Sequence, residues 1–141
     1  MINESERPFH IYIAGGMESV GGNMNFPLFD EVSEKLREAG YTVLNPADHM
    51  RKEVGTLEDI MKISKVDLRA YRRRALKEEL SWICEFADAV VMLPGWRSSP
   101  GATAEFYTAL AMDLPVHQLG NQIVGVQHDV KKMFDVVKTE E

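Results

Sequence analysis

Cysteine is almost absent from this chain. With Cys84 alone among 141 residues, no internal disulfide can form, and a reducing cytoplasm is the simplest compartment. No apolar run approaches the roughly twenty residues that a membrane span needs, so no span is expected. The opening Met1-Ile-Asn-Glu-Ser-Glu6 is acidic where a signal peptide would be basic. Positive charge is also short. Lys and Arg number 16 against 22 Asp and Glu, a formal net charge of −6, which argues against a general nucleic-acid surface because phosphate contacts need a basic face. His10, His117 and His128 lack the spacing of a metal cluster and no Cys/His set accompanies them, so no metal and no other cofactor is expected. A Gly-x-x-x-x-Gly-Lys-Ser/Thr loop is missing as well, which disfavours phosphoryl transfer. Small-molecule chemistry in the cytoplasm is what these absences leave.

What is present reads as one α/β domain over residues 1–141, with residues 1–8 a loose polar leader. His10-Ile-Tyr-Ile-Ala14 has strand character and breaks at Gly15-Gly16, where glycines let the backbone approach a ligand closely. A Gly- and Asn-rich loop from Met17 to Asn25 leads to Asn25-Phe-Pro27, and Pro27 suits a helix start. Phe29, Val32 and Leu36 fall on one face of that helix, and Gly40 caps its end. Tyr41 to Leu44 is a second strand ending in Asn45-Pro46-Ala-Asp48, which completes a βαβ unit. Periodicity is poor from His49 to Val66, apart from a short helix near Leu57 to Ile63, and returns as a helix from Asp67 to Phe86. Cys84 lies on that helix and reads as a buried small hydrophobe. Arg72, Arg73 and Arg74 are consecutive there and cannot share a face, so a solvated surface competes with a phosphate site.

The most informative stretch runs from Asp88 to Tyr107. Ala89 to Leu93 is an unbroken apolar run ending in Pro94-Gly95, the pattern of a parallel strand covered on both faces. Ser99 can cap the next helix and Pro100 suits its first position. Glu105 then sits within about two turns of the helix start, its face shared with Gly101, Ala102, Thr108 and Ala109. A lone carboxylate ringed by small side chains leaves room for a substrate, and the nearby helix N-terminus favours its ionised form. A solvated Glu on an Ala-rich helix is the competing reading. After a turn at Asp113, residues to Leu119 form another strand; Ile123-Val124 is a weak extended segment, and 126–138 a terminal helix or a surface packed on a partner. The order implies a doubly wound, Rossmann-like parallel sheet of four or five strands, with ligands outside the strands' carboxyl ends.

Four blocks carry a resemblance: Ile11-Tyr-Ile-Ala-Gly-Gly-Met17; Asn25-Phe-Pro27; Gly40-Tyr-Thr-Val-Leu-Asn-Pro-Ala-Asp48; and Ala87 to Trp96 continued by Ser99, Gly101-Ala102 and Glu105. Together they resemble the phage and bacterial proteins similar to nucleoside 2-deoxyribosyltransferases, over Ile11 to about Val116. The wider superfamily includes transferases and nucleoside 5′-monophosphate N-glycosidases, which break the bond between base and sugar. The resemblance implies Glu105 as the nucleophile at the anomeric carbon, Tyr12 as the residue that orients it, and Glu79 where the family carries an assisting Asp. It also implies a homodimer or larger assembly, with 120–126 as a candidate contact. Six residues before the nucleophile the nucleoside transferases usually carry an Asp and the nucleotide hydrolases a Ser; here it is Ser99, whose hydroxyl and helix N–H groups suit a 5′-phosphate. The hydrolases tend to carry an Arg where this chain has Glu18, so the phosphate grip has to come from elsewhere, with Arg97 a candidate.

These readings give a candidate site with Glu105, Tyr12 and Glu79 as catalytic residues and Gly15, Gly16, Met17, Asn25, Trp96, Ser99 and Gly101 as substrate-binding residues. Trp96 could stack on a base or cap the sheet edge. Asn25 could bond substrate or cap the helix at Pro27. The leading expectation is N-glycosidic cleavage of nucleoside 5′-monophosphates. Base exchange by a deoxyribosyltransferase and a non-catalytic nucleotide-binding module are the alternatives.

Overall fold

In the computed structural model, residues 8–17 and 24–119 and the backbone of 123–124 are described. The strands are β1 (His10–Ala14), β2 (Thr42–Leu44), β3 (Ala89–Met92), β4 (Val116–Gln118) and β5 (Ile123–Val124). The helices are α1 (Phe26–Glu38), α2 (Pro46–Val54), α3 (Leu57–Met61), α4 (Lys65–Glu85) and α5 (Pro100–Ala111). The sheet order is β2-β1-β3-β4-β5. The first four strands are parallel, whereas β5 pairs antiparallel with β4 through Val116 with Val124 and His117 with Ile123. This is the doubly wound α/β architecture. A parallel fifth strand would need a crossover of a dozen residues or so, and only four residues separate Gln118 from Ile123. The subunit contact expected at 120–126 lies outside the described residues except for β5, as do residues 1–7 of the leader expected at 1–8, Glu18, and the helix or partner surface expected at 126–138.

Alternation along β1 and β3 sorts the core into two layers. Ile11, Ile13, Ala89, Val91 and Leu93 join Phe29, Val32 and Leu36 of α1, together with Ala47, Met50 and Ile60 from α2 and α3. Tyr12, Ala14, Val90 and Met92 face the other way, against Ile83 of α4 and Ala102, Phe106 and Ala109 of α5. The 21-residue helix α4 serves both layers, with Tyr71 and Ala75 in the first and Ile83 in the second. Cys84, next to Ile83, is exposed rather than buried. One residue turns the helix by about 100°, which carries Cys84 off the packed face.

The helix α2 is an element the sequence reading left as strand end and weak pattern. Its start is local: the Asn45 side chain accepts a hydrogen bond from the Ala47 N–H at 2.9 Å, and Pro46 occupies the first helical position. Asp48, in its first turn, pairs with Arg37 at 3.0 Å and Arg51 at 2.7 Å. Helix α1 ends as expected, with Gly40 at φ +98°, a conformation that favours glycine.

At the carboxyl end of β1, Gly15 is required by packing. A Cβ there would lie 2.9 Å from Leu93 Cβ, and Leu93 is fully buried. Gly15→Ala is therefore expected to cost about 1–3 kcal/mol, read as a lower urea midpoint. In Gly101→Ala the new methyl finds only Ser99 Oγ, at 4.0 Å, and a helical Gly→Ala change is neutral or stabilising by up to about 1 kcal/mol.

Candidate active site

In a 2-1-3-4 parallel order the sheet reverses its winding between β1 and β3, and ligands bind outside the carboxyl ends of those strands. A cavity of about 410 Å³ lies there. Gly15, Gly16 and Met17 follow β1 and line it, as do Ser98, Ser99 and Gly101 after β3. Helix α4 supplies a stripe of Leu68, Arg72, Ala75, Leu76 and Glu79, and α5 supplies Ala102 and Glu105. These α4 spacings of three and four residues keep one helical face turned toward the cavity.

Glu105 is only 4% exposed. The Tyr12 hydroxyl, on the fully buried middle of β1, donates to Glu105 Oε2 at 2.5 Å. Glu79 lines the same cavity, and its charge acts on both Tyr12 and Glu105. All three expected catalytic residues therefore meet, and the extra methylene of Glu79 relative to Asp does not keep it from the cluster.

The electrostatics differ from the expectation that the helix N-terminus would hold Glu105 ionised. Burial, followed by the negative charge of Glu79, raises the Glu105 carboxyl well above the ordinary carboxylate range. Burial likewise pushes Glu79 up to about 7. The macrodipole fades within the first turn of a helix, and Glu105 lies five residues past Pro100, the first residue of α5, whereas two buried acids within contact cannot both ionise cheaply. The pair thus shares one proton near neutral pH. The Tyr12 hydrogen bond opposes the rise at both acids, so it steadies the pair without singling out either one for the remaining charge. Tyr12 itself is raised well above an ordinary phenol by burial and by the Glu105 charge, so it acts as a donor.

The binding residues divide. Ser99 caps α5 through a 3.2 Å bond accepted from the Ala102 N–H, and it faces the cavity. Asn25 caps α1 only through its backbone: its side chain donates to the Gly16 carbonyl at 3.1 Å, tying the glycine loop to the helix start, and it does not line the cavity. Trp96 is a correction. It is 4% exposed, its ring stacks on Phe106 at 4.5 Å, and its indole N–H donates to Gln118 at 3.0 Å. It joins the second core layer and is not brought to the cavity, because the turn Trp96–Ser98 folds the ring back over α5. Arg97 lies over that ring, 4.7 Å from its centroid, and also misses the cavity wall.

The sequence reading missed the apolar wall of Met24, Pro46, Met50, Leu68, Ala75 and Leu76, together with Tyr71; of the three arginines weighed as a phosphate site, Arg72 lines the cavity and Arg73 and Arg74 do not. The periodicity of α4 held part of this signal. The contribution of α2 required recognising Asn45-Pro46 as a helix start. Among the described residues one group has donor atoms close enough to hold a cation, His49, Glu53 and Glu78, whose ligand atoms lie within 4.8 Å of one another. Its Glu residues are exposed, none of the three lines the cavity, and His49 pairs with Glu78 at 3.5 Å. An open depression of about 620 Å³ between α1 and α2 is lined by Arg37, Arg51 and four acidic residues, among which Arg51 pairs with Asp30 and Asp48.

A family model described as "Domain of unknown function (DUF4406)" matches residues 9–118, and the chain belongs to that family. No curated protein matches it. The matched span contains every residue of the Tyr12, Glu79 and Glu105 cluster and both strand-end loops.

The shared proton has a consequence for stability. A carboxyl whose folded pKa is raised binds its proton more tightly in the native state, so stability is lost as pH rises from the unfolded value of about 4.3 through the folded one. Glu79→Gln removes this cost. It is expected to match the wild type at pH 4 and to exceed it at pH 8 by on the order of 1–3 kcal/mol, measured as urea unfolding at both pH values.

Proposed function

We propose that this chain cleaves the N-glycosidic bond of nucleoside 5′-monophosphates, with Glu105 as the nucleophile. The observation that carries the proposal is the buried cluster in which Tyr12 holds Glu105 beside a second acid, Glu79, at the floor of a cavity of about 410 Å³. Two carboxyls that share one proton provide both functions that glycosidic cleavage needs. The ionised one stabilises or traps an oxocarbenium-like centre, and the protonated one delivers a proton to the departing base. Glu105, restrained by Tyr12, takes the first role and Glu79 the second. In the retaining sequence the C1′–N bond breaks as a Glu105 oxygen bonds C1′ and the Glu79 proton passes to the base. Water then attacks C1′, returns its proton to Glu79 and releases Glu105.

The surroundings support a nucleotide. The wall of Met24, Met50, Leu68 and Leu76 offers apolar surface for a base. The Ser98 and Ser99 hydroxyls and the Gly101 N–H offer donors to an anion, and no carboxylate stands at that position. A deoxyribosyltransferase would use the same Glu105 chemistry with a second base in place of water. A nucleotide-binding module would use the cavity without turnover.

Liquid chromatography and mass spectrometry of incubations with ribo- and deoxyribonucleosides and their 5′-monophosphates, with and without a second free base, tests the proposal. The wild type is expected to release free base mainly from monophosphates. Glu105→Gln should lower kcat at least about a thousandfold, and Tyr12→Phe about a hundredfold through misplacement of the carboxylate. The rate should rise as pH climbs through about 7, where the pair gives up its first proton, and fall again once the second is lost. Base exchange would move the assignment to a transferase, and equal turnover by Glu105→Gln would refute the mechanism.

A further inference from the structure

The expected phosphate grip at Arg97 is spent on Trp96, and the cavity holds one basic side chain among its described lining residues, Arg72. Arg72 is an exposed residue of α4, seven positions before Glu79. Seven residues are nearly two full turns, so Arg72 and Glu79 project from the same face about 10 Å apart along the axis. On α5, Ser99 precedes Glu105 by six residues, about 9 Å. Helix α4 leads into the amino end of β3 and α5 leaves its carboxyl end, so in a wound parallel sheet both run against the strand and parallel to each other. Arg72 and Ser99 therefore stand at about the same height above the two acids, and both line the one cavity.

We infer that Arg72 is the residue that selects a 5′-phosphate, closing an anion subsite with Ser98, Ser99 and the start of α5. The inference rests on the nucleotide reading of the cavity and deepens it. The chemistry follows from the lining. Two acids at the floor repel an anion, so a phosphate can be held only at the opposite end, and a guanidinium there supplies planar, charge-assisted donors matched to phosphate oxygens. The 5′-phosphate is separated from the anomeric carbon by several bonds, which places it away from Glu105 when that carbon is against the carboxylate. In a free nucleoside the 5′-hydroxyl would leave Arg72 without this partner, so the group discriminates between the two substrate classes.

The test is calorimetric titration of Glu105→Gln, in which ligands stay intact, with the four common deoxynucleosides and their 5′-monophosphates. The same titrations follow for the double variants carrying Arg72→Ala or Arg72→Lys. Arg72→Ala is expected to weaken monophosphates tenfold or more while nucleosides change less than twofold, with Arg72→Lys between. A purely structural role would move both ligand classes together, and that outcome overturns the inference. Monophosphate binding that Arg72→Ala leaves intact overturns it alone and spares the nucleotide reading. Failure of every nucleoside and nucleotide to bind before Arg72 is changed refutes the nucleotide reading, and this inference with it.

Discussion

Two acids set against each other, Glu105 buried and Glu79 half-buried, dominate this molecule. A carboxyl taken out of water prefers its proton, and a second carboxyl beside it strengthens that preference. The fold nevertheless assembles the pair from helices α4 and α5 and steadies it from β1 with the Tyr12 hydroxyl. Such an arrangement adds nothing to stability at neutral pH, and perturbed acid pairs in cavities cluster at functional sites for that reason. The rest of the structure is understandable as the framework that holds this unfavourable contact together. Strand β1 is buried along its inner length, α5 follows β3 through one capped turn, and α4 spans both core layers.

The glycines after β1 and the small residues of α5 serve the same end. Gly15 lets the first strand-end loop lie against Leu93, so the loops after β1 and β3 share one cavity wall. Gly101 and Ala102 keep the α5 wall thin beside Glu105. Asn25 ties the first loop to α1 through the Gly16 carbonyl. In this way backbone groups bound the cavity at one end and acids at the other, a division of labour familiar from sheets that bind ligands at a switch in winding direction.

Much of this was legible in the chain itself, and the failures have specific causes. The run from Ala89 to Leu93, the Ser99-Pro100 helix start and the placement of Glu105 follow from local chemistry, and the structure has all three. The α2 helix was missed because Asn45-Pro46 closes a strand and opens a helix with the same two residues, and the helix is only nine residues long. For Trp96 the sequence left base stacking and a cap over the sheet edge open, since a large aromatic in a turn covers something; only the tertiary partners Phe106 and Gln118, ten and twenty-two residues on, draw it inward. Cys84 follows Ile83 so closely that pattern alone could not separate the packed position from the exposed one. The raised Glu105 was hidden for a related reason, since a helix dipole is readable from sequence and the burial of a distant acid is not.

Helix α4 also acts as a measuring stick. Its groups toward the cavity, from Leu68 through Arg72 to Glu79, ride on one continuous rod of 21 residues, so their separations are fixed in whole turns and not by loop conformation. A single inserted residue between Arg72 and Glu79 would swing everything on one side of it by about 100° and turn half of the stripe out of the wall. Substitutions can retune this surface one position at a time, but insertions and deletions cannot. Evolution of new ligand preferences on this frame should therefore proceed by exchange of side chains along α4, with changes of length confined to the loops that face it.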